Sequence, residues 1–226
     1  LQKTYYYFIE TLEKTLKIMG RIANVTNGAV SGKVGPVVYY EMKGKAYVRA
    51  AMMPRAKDSW SAEQTGVRKK VSRVAALWRH LDKNPVRDIW AKAAQGMSAY
   101  NLFLKTNLPA FKGEALQLDM EFFHLTAGEL PLPHHLNAVA AEEGAFSWQV
   151  SWKDDSGYLL AEPGDELMAI FAYGERFTNP VATGALRSQG NAQVQAPATL
   201  KDLKGIHLFF ASPERKIYSP DQFFGV

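Results

Sequence analysis

The spacing of apolar residues changes partway along the chain, and this change constrains the fold more than any other feature of the sequence. In the first half, apolar residues recur at alternating intervals of four and three, as on the buried face of an α-helix. From Phe146 to Trp152 every second residue is apolar, as in a half-buried β-strand. Helices followed by strands predict an α+β protein. The helical set is Val67, Val71, Val74, Trp78 and Leu81.

The N-terminal part is expected to combine a hairpin with helices. Residues 36–51 contain two segments rich in β-branched and aromatic residues around Lys43-Gly44, which predicts a β-hairpin, whereas the glycine-rich residues 24–35 predict a loop. Ser61 and Gln64 form a capping box at the start of the first helix. Asn84-Pro85 is typical of a second helix start. A third helical stretch ends near Asn107-Leu108-Pro109.

From about residue 136 the pattern is that of short β-strands separated by turns. This arrangement is typical of an immunoglobulin or fibronectin III-like β-sandwich. We therefore predict a hairpin-plus-helix domain at 19–112, a linker at 113–127 and a β-sandwich domain at 128–226. Residues 1–18 are a leader with helical apolar spacing. They are either a separate helix or a segment before a natural start at Met19.

The net charge differs sharply between the two predicted domains. Residues 19–112 contain 17 Lys and Arg against 5 Asp and Glu, a net charge of +12, and residues 113–226 contain 7 against 15, a net charge of −8. This asymmetry bears on partners and association, since a basic and an acidic surface attract one another or other charged molecules.

Several classes of protein are excluded or disfavoured by composition. The chain has no cysteine, which rules out disulfide scaffolds, cysteine–zinc sites and thiol catalysis. No apolar run approaches the roughly 20 residues of a membrane-spanning helix, so we predict no membrane span. The first residues lack the pattern of a secretory signal, and a cytoplasmic or virion-associated location is the default expectation.

Residues for catalysis, metal binding or cofactor binding are not predicted. Lys33 is followed by Val34 rather than by Ser or Thr, so Gly32-Lys33 is not a phosphate-binding loop. The acidic pairs Glu142-Glu143 and Asp154-Asp155 lie in predicted turns and are expected to be solvated. A small-molecule ligand is not expected either. The histidines lack helical metal-ligand spacing, and we expect them on the surface or at its rim: His80, His124, His134, His135 and His207.

The basic N-terminal domain, residues 19–112, carries the one feature of the sequence that indicates a function. Five cations lie on the first helix away from its apolar stripe. Further cations lie along the hairpin: Lys43, Lys45, Arg49, Arg55 and Lys57. They predict either an anion-binding surface, with nucleic acid as the ligand, or a solvated helix face that also contacts the acidic C-terminal domain. Four tryptophans lie on apolar stripes and are expected in the core: Trp78, Trp90, Trp148 and Trp152. The candidate contact residues are Arg68, Lys69, Lys70, Arg73 and Arg79.

A series of short motifs lies along the chain in this order: Met19-Gly20-Arg21, Gly32-Lys33-Val34-Gly35, Lys43-Gly44, Arg49, Gln64 with Arg68, Ser98-Ala99-Tyr100-Asn101, residues 128–133, residues 146–152 and residues 206–212. Together they resemble an uncharacterised bacterial family that is known only as a domain of unknown function. The resemblance covers residues 19–226 and departs from the family in the leader before Met19. It implies an N-terminal hairpin-plus-helices part and a C-terminal fibronectin-like sandwich, and it implies no activity.

Three functions from different classes remain open at this stage. The favoured one is a non-catalytic structural or interaction protein whose copies or protein partners associate, as in a virion, tail or cell-surface structure. The alternative is a nucleic-acid-binding module that uses the basic helix and hairpin. The third is an enzyme whose residues are scattered in sequence but meet in space.

Overall fold

The fold is seen in a computed structural model, which describes residues 19–21, 31–42, 44–52, 60–112, 116–141 and 146–226. The predicted leader, residues 1–18, lies outside the described residues. The chain divides into two compact units, one from Leu1 to Ser59 and one from Trp60 to Val226.

The first unit contains an antiparallel sheet of four strands in the order β1-β4-β3-β2. The predicted hairpin is confirmed, and Gly44 adopts the positive φ that its tight turn requires. Gly32–Val34, predicted as part of a loop, is instead a strand, because Gly35 at φ 57° turns the chain back onto the hairpin. The strands are β1 (Met19–Arg21), β2 (Gly32–Val34), β3 (Val37–Met42) and β4 (Lys45–Ala50).

The second unit begins with three helices, α1 (Ala62–His80), α2 (Val86–Ala93) and α3 (Ala99–Asn107). The predicted capping box is present: Ser61 Oγ accepts from the Gln64 amide and Gln64 Oε1 accepts from the Ser61 amide, both at 3.2 Å. At the second helix, Asn84 Oδ1 accepts from the Val86 amide at 3.0 Å. Local hydrogen bonds therefore fix where these two helices start.

Among the described residues after the helices there are ten strands, and their pairings there are all antiparallel. One sheet has the order β10-β9-β13-β14, with β11 also paired to β9, a second has the order β12-β8-β7, and β5 pairs with β6. The strands are β5 (Phe111–Lys112), β6 (Gln117–Leu118), β7 (Asn137–Ala140), β8 (Ser147–Ser151), β9 (Glu166–Tyr173), β10 (Arg176–Phe177), β11 (Val181–Leu186), β12 (Asn191–Gln195), β13 (Leu203–Ala211) and β14 (Gln222–Gly225).

Both faces of the five-stranded sheet are buried, which gives the second unit three layers. Leu167 and Phe171 on β9 pack with Trp148 of the three-stranded sheet, while Met168 and Ile170 on the opposite face pack with the helices. Neighbouring residues of a strand point to opposite faces, so one strand serves two cores. The predicted α+β class is confirmed by this arrangement of helices and antiparallel sheets.

The division of the chain differs from the predicted boundary at 113–127. Phe123 and Leu125 are buried in the helix-side core, and Trp90 Nε1 donates to the Leu125 carbonyl at 2.7 Å. The helices belong with the later strands because their apolar faces are covered by the sheet. Consequently residues 60–112, with 10 Lys and Arg against 3 Asp and Glu, share a compact unit with the acidic strands.

The burial of side chains agrees with the predicted apolar stripes only in part. Trp90 and Trp148 are fully buried, as expected, and so is Val74. Val67, predicted on the buried stripe of α1, is 57% exposed, because the first turns of that helix extend beyond the core. Met97, predicted on the buried face of the second helix, is also exposed, since α2 already ends at Ala93.

Candidate functional site

The basic helix α1 carries all five candidate contact residues, but it does not gather them on one face. Arg68, Lys69, Arg73 and Arg79 are exposed and Lys70 is partly buried. At 3.6 residues per turn the five spread over roughly half of the helix circumference. In the part of the chain that is described, none of the five forms an ion pair, and the Arg68 guanidinium lies 4.1 Å from the centre of the Trp60 ring.

A groove of about 690 Å³ lies beside α1, at the end of the five-stranded sheet where β9 finishes. Its size falls in the range of about 300–1,000 Å³ that is usual for binding pockets. One wall is the α1 segment from Arg73 to His80, and the opposite wall includes Lys204 and Glu175. The floor is apolar and is formed by Leu77, Phe111, Leu116, Leu118, Met120, Phe177 and Phe223. We call this site the groove.

The rim of the groove carries charges of both signs. Arg73, Lys204 and Glu175 are the charged residues of its lining, and Lys204 Nζ also pairs with Asp202 Oδ1 at 2.8 Å. Of the predicted contact residues only Arg73 lines the groove, and the other four lie elsewhere on α1. Since Arg73 forms no ion pair among the described residues, the groove fits an apolar segment with an acidic residue beside it: burial of apolar surface supplies affinity and charge orients the partner.

Directly under two floor residues lies a buried histidine that the sequence placed at the surface. The His207 ring is fully buried, with the Phe223 ring centre 4.9 Å and the Phe177 ring centre 6.0 Å away. Its Nδ1 is 2.5 Å from Asp221 Oδ2, and its Nε2 has no hydrogen-bond partner among the described residues. The expectation of surface and rim histidines is therefore wrong for His207.

Asp221 joins three parts of the second unit. Its Oδ1 accepts from the Leu125 amide at 3.0 Å and from the Thr126 amide at 2.8 Å, and it lies 3.6 Å from His124 Nδ1. Burial alone would raise the pKa of Asp221, but the hydrogen bonds of His124 and His207 outweigh it and hold that pKa well below its usual value. The same hydrogen bond with Asp221 raises the pKa of His124.

The opposite end of the five-stranded sheet presents three consecutive exposed apolar side chains. Tyr158 and Leu160 are about half exposed and Leu159 is 74% exposed, in the loop between β8 and β9. Leu159 has φ 53°, a left-handed conformation that is unfavourable for a bulky side chain. Runs of exposed apolar residues are uncommon unless they have a function. We call Tyr158, Leu159 and Leu160 the apolar tip.

Backbone hydrogen bonds hold the apolar tip in one conformation. The Gly157 amide donates to the Ala161 carbonyl at 2.8 Å, and the Ala161 amide donates back to the Tyr158 carbonyl at 2.9 Å. The Tyr158 amide donates to the Asp155 carbonyl at 3.0 Å. The tip is thus a closed turn whose shape is set before any partner binds.

A fully buried arginine anchors the base of this loop. Arg187 Nη1 donates to Asp155 at 2.7 Å, Nε donates to Asp165 at 3.1 Å, and Nη2 donates to the Pro131 carbonyl at 2.7 Å. Its guanidinium also lies 4.5 Å from the centre of the Phe210 ring. Asp155 was expected to be solvated and is instead buried against Arg187, whereas Glu142-Glu143 lie outside the described residues.

The sequence signalled the apolar tip better than the groove. The tip was not predicted as a site from the sequence, but three apolar residues in a row directly after the predicted turn at 154–157 are a visible departure from ordinary patterning. The groove brings together residues from Arg73 to Phe223 and has no local signature.

Among the hairpin cations, Lys45 is exposed and Arg49 partly buried, and Lys43, Arg55 and Lys57 are not described.

Two further properties of the described residues bear on binding. No helix in this part of the chain is both long and apolar enough to cross a bilayer. Within the same residues, His, Asp and Glu side chains do not assemble a group of three suited to a metal ion.

The fold and these surfaces define an α+β protein with stacked antiparallel sheets, a helical layer, a groove and an apolar tip. The chain belongs to the DUF6266 family, a family of unknown function whose model matches residues 29–216. The resemblance to an uncharacterised domain-of-unknown-function family is thereby confirmed. No curated protein and no solved structure matches the chain.

Proposed function

We propose that this protein is a non-catalytic structural or interaction protein whose copies associate with one another. The observation that carries the proposal is the groove, whose floor is apolar and whose rim is formed by Arg73, His80 and Lys204. Apolar surface that stays accessible next to fixed charges is typical of protein-binding sites. A virion, tail or cell-surface assembly is the setting in which such a protein would act.

The strand order supports a finer assignment of the fold, to the fibronectin III-like type. In that type two antiparallel sheets pack face to face over one core, and Greek-key connections pass the chain from one sheet to the other. Here β7, β8 and β12 form one sheet, and β9, β13 and β14 lie in the other. Folds of this type are frequent in cell-surface and assembly proteins, which agrees with the proposed role by analogy of fold.

Light scattering after size exclusion tests the proposal directly. The full chain is measured over a range of protein concentrations, at low and at high salt. Association through an apolar groove with a charged rim is expected to weaken as salt rises but to persist, since salt screens the charges and leaves apolar burial intact. A chain that stays monomeric at every concentration and both salt levels contradicts the proposal.

Nucleic-acid binding through α1 is the alternative function. It is favoured by Arg68, Lys69, Lys70, Arg73 and Arg79, which form no ion pairs among the described residues. Against it stands their spread around the helix, which is what an ordinary solvated face also shows. If several of them contact phosphates, the affinity falls steeply as salt rises.

Adding a mixed DNA and RNA pool to the same experiment separates the two functions. Exchanging Lys69 and Arg79, neither of which lines the groove, for Gln is expected to weaken true phosphate binding and to reduce its salt dependence. Exchanging Lys105 on α3 for Gln is the matched control, because it removes one helical cation away from α1. The absence of any complex at low salt refutes the alternative.

A further inference from the structure

We infer that the groove receives the apolar tip of a second copy of this chain, so that copies join head to tail. This inference rests on the proposed self-association and specifies its interface. The tip offers Tyr158, Leu159 and Leu160, and the groove offers a floor that includes Leu118 and Phe177.

The backbone of the tip argues that the Leu159 side chain has a use beyond folding. A left-handed residue is most stable as Gly, so Leu at this position is conformationally unfavourable. Its side chain is largely exposed, so it returns little by packing within its own chain. Strain that is kept at an exposed apolar residue points to a contact with another molecule.

Charges on the two surfaces are complementary. Asp154 and Glu162, both exposed, flank the apolar tip on either side in the sequence. At the groove, Lys204 already pairs with Asp202 at 2.8 Å, whereas Arg73 forms no ion pair among the described residues. Arg73 can therefore pair with a carboxylate beside the tip, which favours this chain's own tip over an apolar segment flanked by cations.

The positions of tip and groove determine the kind of assembly. The tip precedes the first residue of β9 and the groove lies at its last residues, so the eight-residue strand separates them by about 26 Å. One molecule cannot place its own tip in its own groove across that strand. Two different surfaces that bind one another form a heterologous contact, which produces a ring or an open filament.

Two single variants of the full chain test the interface. Leu159→Gly removes the apolar side chain and relieves the left-handed strain, so its stability to urea is expected to equal or exceed that of the wild type. Ala76→Glu places a carboxylate on the α1 wall of the groove, where it faces the acidic flanks of an incoming tip. Each variant is expected to weaken self-association roughly tenfold or more, as for residues at the centre of an interface.

Val139→Thr is the matched control, because Val139 is also an exposed apolar residue but lies on β7, away from tip and groove. It is expected to associate as the wild type does. Lys204→Glu is a second groove variant, used if Ala76→Glu changes the urea midpoint.

Mixing the two variants gives the decisive readout. The Leu159→Gly chain keeps an intact groove and the Ala76→Glu chain keeps an intact tip, so the mixture is expected to form a dimer and nothing larger. An interface of tip against tip or of groove against groove would not restore association in this way. If the wild type associates and neither variant weakens it, the tip-and-groove inference is overturned while self-association stands. If the wild type is monomeric throughout, both fail.

Discussion

Replacing Arg187 by Met tests whether the buried charges at the base of the apolar tip hold this end of the protein together. The side chain of Arg187 is inaccessible to solvent, and it pairs with Asp155 and Asp165, which are 7% and 1% exposed. Met fills much of the same volume but leaves both carboxylates buried without a cation. The cost therefore comes mainly from uncompensated charge and less from a cavity.

The expected loss of unfolding free energy is about 3–5 kcal/mol at neutral pH, the range found when one partner of a buried ion pair is removed. Urea denaturation followed by tryptophan fluorescence measures it as a shift of the midpoint at unchanged slope. Arg176→Met is the control: Arg176 is exposed on β10, and the change in free energy should stay within about 0.5 kcal/mol.

The pH dependence of this loss distinguishes charge from packing. Burial already raises the pKa of Asp165, and the neighbouring Arg187 works against that rise. Without the arginine the pKa rises further, so Asp165 is neutralised earlier as the pH falls. The difference between wild type and Arg187→Met should thus shrink from pH 7 towards pH 4.

A triple variant with Arg187→Met, Asp155→Asn and Asp165→Asn should recover part of the stability lost in the single variant, since it removes the unpaired charges. A loss below about 1 kcal/mol in the single variant that does not change with pH would refute the reasoning. It would mean that the carboxylates are solvated without the arginine.

Two further predictions concern the packing and titration of the second unit. Gly128→Ala should destabilise the protein by about 1–3 kcal/mol in urea denaturation, because its new Cβ would lie 2.0 Å from the Tyr218 carbonyl oxygen. Gly66→Ala is the control: Gly66 lies on α1 with open space around it, and Ala has the higher helix propensity, so this variant should stabilise the protein by about 0.5–1 kcal/mol. The pKa of His124 is raised in the folded state, so its contribution to the free energy of unfolding is complete below about pH 6.5 and is lost as the pH rises through the folded-state pKa. The pKa of Asp221 is lowered in the folded state, so its contribution is complete above about pH 4 and is lost on acidification. Urea midpoints should accordingly be highest between these limits, and His124→Gln should flatten the decline on the alkaline side; an unchanged decline would show that another group causes it.

Elements with strong local signals were predictable from the sequence. The capping box at Ser61, the hairpin turn at Gly44 and the alternation from Phe146 to Trp152 depend on neighbours a few residues apart. Each of these was found where it was predicted. Backbone propensity, capping and hydrophobic period act over the same short distances, so they can be read without a structure.

Layering was not predictable, because it depends on which apolar faces meet. An apolar run such as Leu167–Ala172 is compatible with a strand covered on one face or on both. In the folded chain the helices cover one face and β8 covers the other, which moves the helices out of the predicted N-terminal domain and into a core with the strands. The same packing buries residues of the predicted linker.

Sequence alone determined the α+β class, the helix starts, most strand positions and the membership of a family without an assigned activity. Tertiary structure alone decided which charges are buried and which surfaces are left for partners. Arg187 and Asp155 are 32 residues apart, and Lys204 and Arg73 are farther still, so their meeting is encoded in no local pattern. Side chains distant in the sequence are brought together by burial of apolar faces, and that burial is settled only when all layers pack at once.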